Sequence, residues 1–335
     1  MTITTNFTHH QTAHCESGAV ANLISHHGVK MSEAMAFGIG AGLFFGYLPF
    51  LRLNNLPLIT YRSIAGSIIK RVTKALDIEV VSATYRNQAK AMVELDQLLD
   101  QGIPVGLQTG AFWLPYFPKA YRFHFNMHNL VVVGREGNEY VISDPVFPEL
   151  VRCDRHSLMK ARFAKGTMSP KGKMYYFKDV PPCDDFAPLI LKGIESVSNA
   201  MLKTPIPILG VRGIRFLANR MEKWPRKFGL QRANLHLGQV VRMQEEIGTG
   251  GAGFRFIYAA FLQEAANHCH HDELLALSAR MTEVGDHWRH FAVLAARNCK
   301  GRAEADEGYP AIADKLRQCA QLEESIYLDF RSLYS

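Results

Sequence analysis

HCESGAVANLISHHG, residues 14–28, sets a cysteine directly before an apolar pattern of helical period. Ala19, Leu23 and Ile24 recur on one stripe, so the spacing predicts a helix over Cys15–His27. A thiol at the first position of a helix meets unpaired N–H groups and the positive end of the helix dipole, both of which favour the thiolate. Taken alone, a cysteine in an apolar pattern is ordinarily a buried structural thiol. What makes Cys15 a candidate nucleophile is the pair of residues found far downstream.

HNLVVVG (128–134) and YVIS (140–143) read as strands, and REGNE between them carries the asparagine and glycine of a hairpin turn. His128 opens the first strand and Asp144 closes the second in YVISDP, so hairpin pairing brings imidazole and carboxylate side by side. A carboxylate there fixes the tautomer and orientation of the ring, leaving the other ring nitrogen to deprotonate a thiol. His124, four residues earlier, is the rival base. His128 is preferred because it alone begins the strand that leads to Asp144, and His124 is expected to line a pocket or face solvent. His14 is expected to point away from the nucleophile, in the turn entering the helix.

The rest of the first half mixes helical segments (Ser63–Leu76, Asn87–Leu99) with strand segments (Ile78–Ser82, Pro104–Gln108, Met174–Phe177), which makes an α+β domain. KDVPPCDDFAP (178–188) ends the strand pattern, and six helical segments follow between Phe186 and Leu333. The expected division is therefore an α+β domain over 1–180 and an all-helical domain over 186–335.

With 335 residues, 47% of them hydrophobic, the chain is long enough for two cores. The formal charge of +7 favours acidic partners without naming one. Six scattered cysteines without C-x-x-C spacing, and a start lacking the layout of a secretion signal, point to a reduced, cytoplasmic protein. Ala34–Leu51 is uncharged and nearly long enough to cross a membrane, but Gly38, Gly40, Gly42, Gly46 and Pro49 break it into a helix end, a glycine loop and a strand. No membrane insertion is expected.

Neither His9, His10, His14 and Cys15 nor His268, Cys269, His270 and His271 has the separated pairs of a zinc site, so no metal is expected. GTGGAG (248–253) matches a dinucleotide fingerprint in letters only, because a helical segment precedes it where a strand is required. It reads as a tight turn between helices or, more sharply, as an amide nest in which Gly250, Gly251 and Arg255 hold an anion such as a pantetheine phosphate. Arg212, Arg215, Arg220, Lys223, Arg226 and Lys227 form a solvated helix face or a docking surface for a carrier protein. Nucleic acid is not expected, since no aromatic-interleaved basic motif occurs.

The order Cys15, H-x-x-V-V-V-G and V-I-S-D-P resembles the papain-like peptidases that remove double-glycine leaders from bacteriocins, over the first half of the chain. A closer resemblance covers nearly all of it. HCESGAVANLISHHG, SEAMAFGIGAGLFFGY (32–47), LPYFP (114–118) before FHFNMHNLVVVG, and EEIGTGGAGFRFIYAAFLQEAA (245–266) are similar to the family of the butirosin-biosynthesis acyltransferase. That resemblance implies a papain-like cysteine-nucleophile domain followed by a helical domain. It also implies transfer of an acyl group from an acyl carrier protein thioester, through the cysteine, to an amine. Cys15 is then nucleophile, His128 base and Asp144 orienter, with no cofactor beyond the carrier's phosphopantetheine arm. Where the leader peptidases place an oxyanion-stabilising glutamine, six positions before the cysteine, this chain has His9, and Gln11 becomes the candidate second donor beside the helix amides.

Three functions stay open on these residues: acyl transfer to an amine or alcohol of a small molecule or peptide, hydrolysis as a peptidase or amidase by the same three residues, and a non-catalytic binding module.

Overall fold

The computed structural model describes residues 2–4, 6–53 and 55–334. The chain forms two compact units, one of residues 1–36 and 68–184, the other of 37–67 and 185–335. The first contains β1 (Thr2–Thr4), α1 (Cys15–His26) and the start of α2 (Glu33–Ile39). After β2 (Leu43–Leu53) and β3 (Leu56–Arg62), which belong to the second unit, it resumes with α3 (Ser67–Ala75), β4 (Glu79–Ala83), α4 (Gln88–Asp100) and β5 (Val105–Thr109). It ends with β6 (His128–Glu136), β7 (Glu139–Ser143), β8 (Val151–Asp154), α5 (Arg155–Arg162) and β9 (Met174–Asp179).

These strands make a sheet in the order β4-β9-β5-β6-β7-β8, with β1 also on β6, and each pairing among the described residues is antiparallel. Leu107, Leu130, Val132, Tyr140 and Ile142 face a core filled by Met92, Leu95 and Leu99 of α4 and Leu158 and Ala161 of α5. Side chains of odd and even position alternate across a strand, so Val131 and Val133 turn to the other face, against which α1 packs. The α+β domain and the β6–β7 hairpin are as the sequence pattern predicts.

The second unit holds the β2–β3 hairpin and seven helices: α6 (Ala187–Leu202), α7 (Gly210–Met221), α8 (Trp224–Phe228), α9 (Leu230–Glu245), α10 (Arg255–Cys269), α11 (Glu273–Cys299) and α12 (Tyr309–Asp329). Here the structure corrects the expected division at 180 and 186. The break itself falls close by, after Asp184, but residues 37–67 join the helical unit. The reason is burial. Phe45 and Tyr61 of the hairpin pack edge-on at 5.4 Å, and Tyr61 meets Trp288 of α11 at 5.5 Å. Only helices from later in the chain can cover those rings. The uncharged run 34–51 is a helix end, a glycine turn and β2, as expected, and among the described residues no helix is long and apolar enough to cross a membrane.

Candidate active site

Three groups of contacts hold the start of α1 in place. His14 is its N-cap in an extended conformation, and its Nδ1 accepts from the Ser17 amide at 3.4 Å. The Glu33 carboxylate, at the start of α2, accepts the amides of Ala13 at 3.0 Å and His14 at 2.5 Å. Thr12 donates its amide to the Pro145 carbonyl at 2.6 Å, tying the approach to the residue after Asp144. Gly18 permits this closeness, because a Cβ there would lie 2.0 Å from Thr12 Oγ1 and 2.7 Å from Pro145 Cβ. Glu16, fully buried beside Cys15, caps α3 by accepting the Ile68 amide at 3.0 Å.

Cys15 is thereby fixed, nearly buried, at the end of the sheet where β6 begins. His128 Nε2 donates to Asp144 Oδ2 at 2.7 Å, with Asp144 fully buried. That leaves Nδ1 free of Asp144, and the Cys15 side chain acts on the ring beside the carboxylate. Burial opposes a charge on His128, but the Asp144 carboxylate, its hydrogen bond and the cysteine outweigh it and lift the pKa to about 10. An imidazolium that persists through the neutral range beside a thiol favours the thiolate.

Asp144 has further partners. Tyr116 donates its hydroxyl to the same Oδ2 at 2.7 Å, and Val146 its amide to Oδ1 at 3.3 Å. Burial, and then the adjacent carboxylate, push the Tyr116 pKa far up, so it remains a donor. Phe117 packs edge-on against the His128 ring at 5.2 Å, and Phe147 closes over Tyr116 and Phe117 at 5.1 and 4.9 Å. Tyr116 is thus a positioning residue for the His–Asp pair. Sequence reading passed over it, although an aromatic pair between two prolines in LPYFP is a signal of a rigid aromatic loop.

The remaining candidates fare differently. The side chain of Gln11 is exposed, and no hydrogen bond holds it among the described residues. His9 is committed elsewhere, its Nδ1 accepting from Ser143 Oγ at 2.7 Å and its Nε2 donating to the Phe147 carbonyl at 3.0 Å. His124 is exposed and stacked on Phe112 at 4.2 Å, away from the Cys15 set. Among the other thiols, burial and nearby carboxylates push Cys153 up to about 12, and burial raises Cys269, Cys299 and Cys319.

The anion nest of Gly250, Gly251 and Arg255 is contradicted. Residues 250–254 all have positive φ, forming a left-handed turn that requires its glycines. The Ala252 amide in this turn already binds an anion, the Glu245 carboxylate, at 3.1 Å. Arg255 is fully buried, gripping Glu323 through Nε at 2.9 Å and Nη2 at 3.0 Å and lying 4.8 Å from the Trp288 ring centre. Its guanidinium has no open side for a phosphate. Among the described residues no three His, Cys, Asp or Glu side chains are placed to hold a metal ion.

Two family models match the chain. One, described as a domain of unknown function (DUF4872), matches residues 156–329, just over half of the chain. The other, described as Butirosin biosynthesis protein H, N-terminal, matches residues 14–145, a span that contains Cys15, His128 and Asp144. A crystal structure described as a C39-like peptidase from Bacillus anthracis aligns at 17% identity and a TM-score of 0.39, over 54% of this chain and all of its own. No curated protein matches the chain.

Proposed function

The chain belongs to the family of the domain of unknown function DUF4872, and with its first half similar to Butirosin biosynthesis protein H we propose that it is a cysteine-dependent acyltransferase. The observation that carries this reading is the buried hydrogen bond between His128 and Asp144 at 2.7 Å, with the Cys15 thiol acting on the same ring. A thiolate held next to an imidazolium is suited to attack a thioester, because the bond broken and the bond formed are alike. Thiolate adds to the donor's carbonyl carbon, and the tetrahedral oxyanion meets the Cys15 amide, which has no acceptor within the helix. The donor's sulfur then leaves, taking the proton of His128. In the second half, an amine attacks the acyl-cysteine, neutral His128 Nδ1 removes the amine's proton, and the Cys15 thiolate is restored.

The donor we infer is an acyl group on a carrier protein, in keeping with the charge of +7, and the acceptor an amine or alcohol of a small molecule or peptide. The test is intact-mass analysis after mixing the protein with a small acyl thioester. The expected result is one added acyl group on Cys15, cleared faster by an added amine than by water. Clearance by water at the same rate would make the protein a hydrolase, and the absence of any adduct would overturn the covalent route.

A further inference from the structure

Residues 155–178 carry seven lysine and arginine side chains and no carboxylate. Three are accounted for: Arg155 on Asp96 at 2.6 Å, Lys178 on Glu79 at 2.8 Å, and Lys160 over the Trp113 ring at 5.1 Å. Arg162, Lys165, Lys171 and Lys173 have no acidic partner among the described residues. Arg162 is fully buried with no carboxylate in hydrogen-bond contact, Asp96 and Glu94 acting on it only at longer range. Its Nη atoms donate to the carbonyls of Ala91 at 2.8 Å and Gly172 at 3.3 Å, while its Nε has no partner.

This charge, with no carboxylate in contact, is next in sequence to a residue lining a cleft of about 500 Å³ formed by Thr84, Tyr85, Arg86, Phe163, Ser169 and Lys171. Arg162 precedes Phe163 in the chain, and the carbonyl it binds belongs to the residue after Lys171. The lining offers two cations and the Thr84 hydroxyl and no carboxylate, the Ser169 hydroxyl being donated to the Ala164 carbonyl at 2.7 Å. The Glu94 carboxylate nearby is taken by the Tyr85 hydroxyl at 2.6 Å. The cationic loop is tied to the Cys15 site as well, since Asn126, two residues before His128, donates to the carbonyls of Lys165 at 3.2 Å and Thr167 at 3.0 Å. His128 pairs with Thr109, and Met174 with both Leu107 and Ala83, so the cleft opens at the same end of the sheet as His128. The lateral offset is three strand spacings, roughly 14 Å.

We propose that this cleft is an anion subsite that receives a phosphate group of the acyl donor, holding the far end of the arm whose thioester reaches Cys15. The assignment rests on the acyl-transfer reading and adds to it the place on this chain where the donor's phosphate is held. A phosphate brings several acceptor oxygens to the Arg86 and Lys171 cations and the Thr84 hydroxyl, and its charge adds to the counter-charge around buried Arg162.

Calorimetric titration of the full-length Cys15→Ala protein with phosphopantetheine, pantetheine and inorganic phosphate tests this without any turnover. Phosphopantetheine should bind at least ten-fold more tightly than pantetheine, and inorganic phosphate should compete with it. In the Arg86→Ala/Lys171→Ala double variant, both changes being at exposed positions, the advantage should fall below about three-fold. Equal binding of the two pantetheines, or an advantage that survives the double variant, would overturn the subsite. Competition by inorganic phosphate without a phosphopantetheine advantage would make the cleft a free-phosphate site and overturn the donor assignment. Acylation of Cys15 in the wild-type protein by a phosphate-free thioester reports on the acyl-transfer reading separately, so failure of one leaves the other readable.

Discussion

Asp144→Asn is expected to preserve the fold while lowering acyl transfer by roughly 10³- to 10⁴-fold, the scale of the comparable change in serine triads. Asp144 accepts from three donors, His128 Nε2, Tyr116 Oη and the Val146 amide. An amide can match at most part of that set. If its oxygen serves Tyr116, its NH₂ faces His128 Nε2 and favours the tautomer with the proton on Nδ1, which cannot take a proton from Cys15. The charge that holds the imidazolium also disappears, so the His128 pKa falls back toward about 6.5. Stability should respond with a defined sign. In the wild type the folded pKa of His128 lies above its unfolded value, so its contribution is complete below about pH 6.5 and is lost as pH rises through about 10. The Asp144→Asn change should flatten that alkaline decline. A variant turning over within ten-fold of wild type, with an unchanged stability profile between pH 6 and 10, would remove Asp144 from the site.

The second large effect concerns the helical unit. Glu323→Ala should cost about 3–5 kcal/mol, because it leaves the Arg255 guanidinium buried without its counter-charge. It also orphans the indole N–H of Trp288, 2.5 Å from Glu323, and the Tyr327 hydroxyl at 2.8 Å. Denaturant unfolding measures the loss. An Arg255→Met/Glu323→Leu double variant should recover only the part due to the unpaired charge, since the Trp288 indole N–H and the Tyr327 hydroxyl stay without their acceptor. A loss below about 1 kcal/mol for the single variant would mean that solvent reaches the pair.

The parts of the fold written in local periodicity were legible in the sequence. The helical stripe after Cys15, the hairpin around REGNE and the helical segment Asn87–Leu99, seen as α4, all follow from neighbouring residues. The meeting of His128 and Asp144 was legible because the two lie at the ends of one hairpin. What escaped depends on partners far along the chain. Glu33 bonds amides about twenty positions away, and Tyr116 a carboxylate twenty-eight positions away. Arg255 beside a glycine turn looked like an anion site because its real anion, Glu323, is sixty-eight residues distant. The 37–67 segment went to the other unit for the same reason, its covering residue Trp288 being more than two hundred positions away.

The central claim is that Cys15 is a thiolate nucleophile made by His128. The direct measurement is the rate of iodoacetamide labelling at each of the six cysteines as a function of pH, followed by peptide mapping. Cys15 should label first, and rapidly already at pH 6–7. In His128→Ala the rate at neutral pH should fall by about ten-fold or more, because the ring that takes the thiol's proton is gone. Faster labelling at another cysteine, or a Cys15 profile that His128→Ala does not move, would contradict the account.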